Sequence, residues 1–245
     1  MSVLVVDGEK LRVKLILFDV DGTLVDDEDR YKNLAALRFE ALVTRAGLAA
    51  AEAWAPLGGY DPKKRVIEIN GAIAKASRRE DLAIAAAAIY TTGIPWHEAR
   101  KLAEQAYAVA DIIQLRDYIP RLFPGTEAGL RRVKKAGFSL GIATNGPTAI
   151  TEELLRILNI RDLFDVVAGS EDTPNPKPSP DLLLVACKRV GVNPSDALYV
   201  GDQPVDAEAT EAAGFAASII VGPAKVEPTR GVHRLLSVAD LAAHP

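Results

Sequence analysis

Short runs of apolar residues alternate with longer amphipathic stretches over most of the chain. The run 15–18 is continuously apolar and leads into Asp19 and Asp21, with Gly22 directly after them. An apolar run that ends at a turn signal is typical of a buried strand. The same pattern predicts further strands at 138–143, 164–168, 197–200 and 215–221, each joined to the next by an amphipathic helix. Strands that alternate with helices predict an α/β fold with a Rossmann-like parallel sheet core.

The two ends of the chain carry weaker patterns. Apolar runs at 3–6 and 11–18 flank Asp7-Gly8, a dipeptide typical of hairpin turns. We therefore expect a short edge strand before the central one. From residue 226 onward the sequence predicts a loop with at most one short helix.

Residues 26–119 lack the period of two that marks strands. Their apolar positions have helical spacing, and Gly47 stops the first of these helices. Helices are predicted at 28–48, 63–75, 79–90 and 97–115, with a loop at 56–62. We expect a smaller all-helical cap domain at 26–119, inserted after the first strand of a core domain formed by 1–25 and 120–245. Because the insert leaves just after the turn at 19–23, we expect it to cover the carboxyl ends of the strands.

Composition narrows the possible environments and partners. The chain has 245 residues, 49% of them hydrophobic, and a formal net charge of −4. A mildly acidic protein is not expected to bind nucleic acid or an anionic membrane. Its one cysteine, Cys187, excludes an internal disulfide and fits a reducing compartment. With no signal-peptide pattern at the start and no apolar stretch long enough to span a bilayer, we expect a cytoplasmic protein.

Polar residues that could take part in catalysis or ligand binding lie at four predicted strand ends or loops. Ligands of an open parallel sheet bind beyond the carboxyl ends of its strands, so we expect these groups to meet in one site. They are Asp19-Val20-Asp21-Gly22-Thr23, Thr144-Asn145-Gly146, Lys177 in the proline-rich loop 174–180, and Gly201-Asp202 with Asp206.

The donor set of these stretches suits a metal ion and a phosphate together. Carboxylate oxygens are the ligands of Mg²⁺, a hard ion that also binds substrate phosphate. A hydroxyl, an amide, a lysine and the N-terminus of the helix after Thr144 favour phosphate oxygens. Since carboxylates alone would repel a phosphate, a divalent ion is needed to bring the two together.

In this order the four stretches resemble the motifs of the haloacid dehalogenase (HAD) superfamily of aspartate-nucleophile phosphohydrolases. The insert resembles the helical C1 cap of its phosphoglycolate phosphatase-like and β-phosphoglucomutase-like members. The resemblance implies a Mg²⁺-dependent phosphatase that hydrolyses small soluble phosphate monoesters, of the phosphoglycolate or sugar phosphate type, through an aspartyl-phosphate.

The resemblance also implies roles for the residues that handle the phosphoryl group. Asp19 would be the nucleophile, and Asp21 would protonate the leaving alkoxide and later deprotonate the attacking water. Thr144 and the backbone of Asn145 would bind phosphate, and Lys177 would neutralise its charge.

The metal site implied by the resemblance uses the acidic residues. Asp202 and Asp19 would bind Mg²⁺ together with the Asp21 carbonyl, and Asp206 would help to hold the site. In the cap, Lys63 and Arg65 follow a glycine pair and are candidate substrate-specificity residues. A solvated basic surface at a helix start is an equally consistent interpretation of these two side chains.

Two other functions remain open at this stage. A phosphomutase would use the same chemistry but pass the phosphoryl group to a sugar hydroxyl, and a non-catalytic ligand-binding protein could use the same fold. Asp21 argues for phosphate esters over halides, because an alcohol leaving group needs an acid. The sequence leaves the particular ester open, and it is compatible with a monomer or a homodimer.

Overall fold

A computed structural model of the chain describes residues 3–6, 8–26, 28–222 and 231–244. The chain divides into two units, Met1–Asp26 with Pro120–Pro245 and Asp27–Ile119. None of the helices in the described ranges has the length and apolar character needed to cross a membrane.

Strands and helices alternate through most of the larger unit. The strands of the described residues are β1 Val3–Val6, β2 Glu9–Leu11, β3 Leu15–Phe18, β4 Tyr60–Asp61, β5 Val66–Ile67, β6 Ser139–Ala143, β7 Val166–Ala168, β8 Ala197–Gly201, β9 Ala217–Val221, β10 Val232–Leu235 and β11 Ala242–His244. The α-helices are α1 Glu28–Ala46, α2 Leu48–Gly58, α3 Ala72–Lys75, α4 Arg78–Tyr90, α5 Trp96–Asp117, α6 Thr126–Lys135, α7 Thr148–Ile157, α8 Asp181–Val190 and α9 Pro204–Ala212.

A six-stranded sheet in the order β10-β9-β8-β3-β6-β7 forms the centre of the larger unit. All of its neighbouring strands are parallel, which confirms the predicted α/β fold. In the central register, Phe18 lies opposite Val200 on one side and Ile142 on the other. The residues that follow these three positions therefore emerge together at one edge of the sheet.

The continuous apolar run of β3 is explained by burial on both faces. Ile16 and Phe18 belong to one hydrophobic cluster, whereas Leu15 and Leu17 belong to another. All four side chains are fully buried, and burying each one stabilises the fold by about 1.5–3 kcal/mol. The central strand is therefore fixed from both sides.

The expected strand at Val3–Val6 and the hairpin after it are confirmed, but this strand is not an edge of the central sheet. The tail was expected to be a loop with at most one short helix, which is wrong for β10 and β11, and residues 226–230 of it lie outside the described residues. Strands β1 and β2 form an antiparallel hairpin that pairs with β11 in a separate three-stranded sheet, and Asp7 of the expected turn lies outside the described residues. In the tail, β10 extends the central sheet beside β9. The tail segments gain strand structure by pairing with distant or preformed strands, which local sequence patterns do not reveal.

In the larger unit, the segment before the insert and the segment after it are paired side by side. The Asp26 N–H donates to the Arg121 carbonyl at 2.9 Å, and the Phe123 N–H donates to the Leu24 carbonyl at 3.0 Å. The chain thus leaves this unit and returns to it through paired backbone segments.

The smaller unit is helical apart from one short hairpin. Alanines occupy much of its buried surface between α1, α2, α4 and α5, around the fully buried side chains of Trp54 and Tyr107. The predicted helix at 63–75 was wrong, because β4 and β5 form a hairpin there and only α3 is helical. The predicted loop at 56–62 was wrong at its start, since α2 continues through Pro56 with buried residues packed against the other helices.

A buried polar network crosses this unit. Arg38 and Asp81 form an ion pair whose side chains are 6% and 5% exposed. The Tyr107 hydroxyl donates to Asp81 Oδ1 at 2.8 Å and accepts a hydrogen bond from Trp54 Nε1 at 2.9 Å, while the Arg38 guanidinium lies 4.1 Å from the Tyr107 ring centre. Burial is the largest single influence and would lower the pKa of Arg38, but the charges of Asp81 and Asp111 with the neighbouring tyrosines together outweigh it and raise that pKa.

Replacing one member of the buried pair should destabilise the fold strongly. We expect Asp81→Asn to lower the free energy of unfolding by about 3 kcal/mol, because it leaves the buried Arg38 charge with only the more distant Asp111 carboxylate, 3.7 Å away. Asp117→Asn is the matched control, since its ion pair with Arg116 is exposed to solvent and its loss should leave the free energy of unfolding nearly unchanged. Urea unfolding followed by circular dichroism measures both, and equal losses would contradict this account.

Candidate active site

Three of the predicted polar stretches begin where neighbouring strands end. Asp19 follows β3, Thr144 follows β6 and Asp202 follows β8. The Asp19 N–H donates to the Val200 carbonyl at 2.9 Å, and the Thr144 N–H donates to the Ala168 carbonyl at 3.0 Å. Backbone hydrogen bonds thus continue beyond the last residues of the strands and fix the positions of Asp19 and Thr144.

Lys177 is the buried cation of the site. Its Nζ lies 3.1 Å from Asp19 Oδ1, 2.6 Å from Asp206 Oδ1 and 2.6 Å from the Tyr199 hydroxyl oxygen. Its side chain is only 3% exposed. Burial would lower the pKa of Lys177, but the charges of Asp19 and Asp206 outweigh it and raise that pKa. The ammonium therefore stays charged, with the Tyr199 hydroxyl and Asp206 as hydrogen-bond acceptors and Asp19 as a further ion-pair partner.

Asn145 holds the loop that carries this lysine. Its side-chain Oδ1 accepts the Lys177 N–H at 2.8 Å, and its Nδ2 donates to the Lys177 carbonyl at 3.3 Å. The side chain is thus used within the protein. The backbone N–H of Asn145 has no hydrogen-bond partner among the residues that the structure describes, so it is the group of this residue that a ligand can use.

Asp206 is fully buried and organises the turn after β8. Its Oδ2 accepts the N–H groups of Asp202 at 3.1 Å and Gln203 at 2.9 Å, while its Oδ1 pairs with Lys177. Burial raises the pKa of Asp206, and the Lys177 charge offsets this only in part. Both carboxylate oxygens already accept hydrogen bonds, so Asp206 holds the lysine and the turn in place.

Asp202 is oriented by two side chains. Thr23 Oγ1 donates to Asp202 Oδ1 at 3.2 Å, and Gln203 Nε2 donates to its Oδ2. Gly22 lies directly against this carboxylate with φ +76°, and a Cβ at that position would come within 2.6 Å of Asp202 Oδ2. Glycine is therefore required there both for the left-handed backbone and for space.

A divalent metal fits the carboxylates. One oxygen from each of Asp19, Asp202 and Asp206 lies within 4.8 Å of the others, and all three residues are buried. Asp19 Oδ1 forms its ion pair with Lys177 but has no hydrogen-bond partner in the described part of the chain. Three carboxylates against one ammonium leave an excess of negative charge among oxygen donors, which suits a hard cation. The Asp21 carboxylate is not a member of this group, and the residue is half-buried.

The helix after Thr144 already has acidic partners from the chain itself. The Thr148 N–H at the start of α7 donates to Glu171 Oε2 at 2.7 Å, and the Thr148 hydroxyl donates to Asp172 Oδ2 at 3.2 Å. The expectation that this helix offers its free N–H groups to an anion is therefore wrong at Thr148. Thr144 Oγ1 stays at the strand end, where it accepts the Gly146 N–H at 3.3 Å.

The two candidate cap residues lie on the β4–β5 hairpin. Asp61 Oδ1 accepts the N–H groups of Lys63 and Lys64, each at 3.0 Å. Arg65 has φ +54°, a left-handed conformation that is uncommon for a residue other than glycine. The side chains of Lys63 and Arg65 are exposed.

Sequence reasoning missed three residues of the site. Thr23 lies within the first motif and Gln203 lies between Asp202 and Asp206, and the structure uses both side chains to orient Asp202. Tyr199 lies within the predicted strand at 197–200, to which the strand pattern gives no functional role. The available signal was its hydroxyl, because a buried phenol normally requires a hydrogen-bond partner.

Comparisons with known proteins agree with this geometry. The model of the haloacid dehalogenase-like hydrolases matches residues 13–214, a range that includes every core-site residue described above. Phosphoglycolate phosphatases from Nitrosospira multiformis and Escherichia coli are each 30% identical over 83% and 82% of this chain and 81% and 79% of their own length.

A solved structure shows the same fold. It is a crystal structure from Haemophilus somnus described as a predicted phosphoglycolate phosphatase, 23% identical, with a TM-score of 0.65 over 91% of this chain and 88% of that one. The chain belongs to the haloacid dehalogenase-like hydrolases. Within that family it is a phosphoric monoester hydrolase of the phosphoglycolate phosphatase-like branch.

The close approach at Gly22 leads to a prediction with an internal control. Gly22→Ala and Gly8→Ala both place a side chain at a positive φ, +76° and +78°. Only Gly22 faces a neighbour, since no atom of the described residues lies within 4 Å of a Cβ at Gly8. We expect Gly8→Ala to destabilise the protein by about 1–2 kcal/mol with unchanged phosphatase activity.

Gly22→Ala should destabilise the protein by more than this and should remove most of the activity, because Asp202 must move. Urea unfolding and a phosphate-release assay test both variants. Equal activity in the two variants would show that the position of Asp202 is not critical.

Proposed function

We propose that this chain hydrolyses small soluble phosphate monoesters through an aspartyl-phosphate on Asp19, with Mg²⁺ as the metal. The observation that supports this most directly is the contact between Lys177 Nζ and Asp19 Oδ1, 3.1 Å long and buried. A buried ammonium beside a carboxylate offers positive charge to a phosphoryl oxygen at the place where the carboxylate would attack phosphorus.

In the proposed reaction, an Asp19 carboxylate oxygen attacks phosphorus, and the bond from phosphorus to the ester oxygen breaks. Asp21, in its protonated form, gives its proton to the leaving alkoxide. Water then attacks phosphorus, Asp21 takes one of its protons, and the bond between phosphorus and Asp19 breaks. The products are an alcohol and inorganic phosphate, and both aspartates return to their starting states.

The phosphoryl oxygens would be bound by groups at two strand ends. Lys177 supplies a charge, Thr144 supplies a hydroxyl, and Asn145 supplies the backbone N–H that has no partner within the described chain. Asp19 and Asp202, with the Asp21 carbonyl, would hold Mg²⁺, and Asp206 would help to keep this metal site in position. The bound ion would supply the positive charge that lets an anionic substrate approach the carboxylates.

Phosphoglycolate is the first substrate to test. The relatives from Nitrosospira multiformis and Escherichia coli are named for that activity, and they share 30% of their aligned residues with this chain. We propose Lys63 and Arg65 as substrate contacts, because two exposed cations on one hairpin suit an ester with a second anionic group such as a carboxylate.

We also propose a cytoplasmic location, which fits a single cysteine, Cys187, whose burial raises its thiol pKa to about 11.

The nucleophile assignment predicts the effect of a single substitution. Asp19→Asn should lower kcat by at least about 1,000-fold, because an amide oxygen is a poor nucleophile in place of the carboxylate. Asp29→Asn is the matched control, since that aspartate is exposed on α1 and its variant should match the unmodified enzyme. Phosphate release from phosphoglycolate measures both, and circular dichroism checks folding. An Asp19→Asn variant with more than a tenth of the original kcat would rule out this nucleophile.

The metal assignment predicts that activity depends on a hard divalent ion. EDTA should abolish phosphate release, and excess Mg²⁺ should restore it, because the carboxylates would then repel the substrate without a counter-charge. Circular dichroism before and after chelation separates loss of metal from loss of fold. Full turnover in chelator, with no metal found by elemental analysis, would contradict the proposal.

A further inference from the structure

Tyr199 lies on β8 and is fully buried, and its hydroxyl joins two parts of the site. The hydroxyl oxygen is 2.6 Å from Lys177 Nζ and 2.6 Å from the carbonyl oxygen of Ala143. We propose that Tyr199 is a positioning residue, which holds the Lys177 ammonium in place for the phosphoryl group. This inference rests on the proposed function, because it concerns the same reaction.

The direction of the two hydrogen bonds is fixed by chemistry. An ammonium only donates, and a carbonyl only accepts. The Tyr199 hydroxyl must therefore accept from Lys177 and donate its own proton to Ala143. Burial and the neighbouring carboxylates raise the pKa of Tyr199 well above its ordinary value, so the phenol keeps the proton that this arrangement needs.

The hydroxyl also connects the cation to the phosphate-binding strand end. Ala143 is the last residue of β6, and Thr144 follows it directly. Lys177 comes from a loop, so its ammonium needs a contact to a rigid element to keep its distance from Thr144 constant. Tyr199 supplies that contact from the middle of the central sheet.

The Tyr199 oxygen is the third contact of the Lys177 ammonium, whose two carboxylate partners lie at unequal distances. Lys177 Nζ is closer to Asp206 Oδ1, at 2.6 Å, than to Asp19 Oδ1, at 3.1 Å. Without the Tyr199 oxygen, the ammonium keeps two carboxylate partners and is drawn toward the nearer one. A shift toward Asp206 moves the positive charge away from the side of Asp19, where the phosphoryl oxygens would bind.

Tyr199→Phe tests the proposal with little change in volume. We expect kcat/KM for phosphoglycolate to fall about 10-fold or more, because the variant loses a hydrogen bond to a charged group. We expect the affinity for inorganic phosphate, measured by titration calorimetry with Mg²⁺, to fall in the same proportion. Tyr90→Phe is the matched control, because its side chain is 56% exposed in the helical unit, and its variant should match the unmodified enzyme.

The phosphate affinity separates positioning from folding. A purely structural defect lowers kcat through the active fraction and leaves the dissociation constant of phosphate unchanged. A displaced Lys177 raises that constant for every folded molecule. Unchanged phosphate affinity in Tyr199→Phe, or a variant that does not fold, would show that the hydroxyl serves the fold and would overturn the proposal.

Combining Tyr199→Phe with a substitution of Lys177 tests whether Tyr199 acts through Lys177. Lys177→Met should bind phosphate weakly, and adding Tyr199→Phe to it should weaken binding no further, because the cation to be positioned is gone. A further loss of affinity, equal to that seen with Lys177 present, would overturn the inference. If the unmodified enzyme itself releases no phosphate from a broad panel of esters, the proposed function fails. If it is active and Tyr199→Phe matches it, only the positioning role fails.

Discussion

The charge balance around Lys177 is the constraint on which the rest of the site depends. A buried carboxylate is unfavourable unless it is paired and hydrogen-bonded, and Asp206 meets both conditions through Lys177 and two backbone N–H groups. Within the described residues, Asp19 Oδ1 has the ion pair with Lys177 and no hydrogen bond, and this ion pair is the longer of the two. The acidic excess that remains is located where a cation and then a phosphate would bind. The groups that stabilise the turn after β8 therefore also set the charge around Asp19, the proposed nucleophile.

The sequence predicted which residues meet but not how their side chains are used. Apolar runs that end in Asp19, Thr144 and Asp202 indicate strands, and the geometry of a parallel sheet brings strand ends together. Those rules concern the backbone. They do not show that Asp206 uses both oxygens inside the protein, or that the Tyr199 hydroxyl points toward a lysine in another loop. Such contacts depend on side-chain directions across neighbouring strands, which a single sequence does not encode locally.

The structural errors share a physical cause. Pro56 reads as a helix breaker, yet α2 continues through it because its buried alanines and Trp54 pack against other helices. The tail reads as a loop, yet β10 gains its strand structure from pairing with β9. In both places tertiary contacts outweigh local preference. Both segments lie outside the four motif stretches of the sequence, so no motif constrained their interpretation.

The site separates phosphoryl chemistry from substrate choice. In the proposed reaction Lys177, Thr144 and the Asn145 N–H bind phosphoryl oxygens, which every phosphate monoester carries, so these contacts would not distinguish one ester from another. Discrimination must come from contacts to the remaining part of the substrate. Lys63 and Arg65 are cations, but exposed ion pairs contribute at most about 1 kcal/mol while water surrounds them. On the proposal that Lys63 and Arg65 contact the substrate, a strong preference for phosphoglycolate would require these two cations to lose their water on binding, because only a desolvated cation can separate an ester with a carboxylate from one without it.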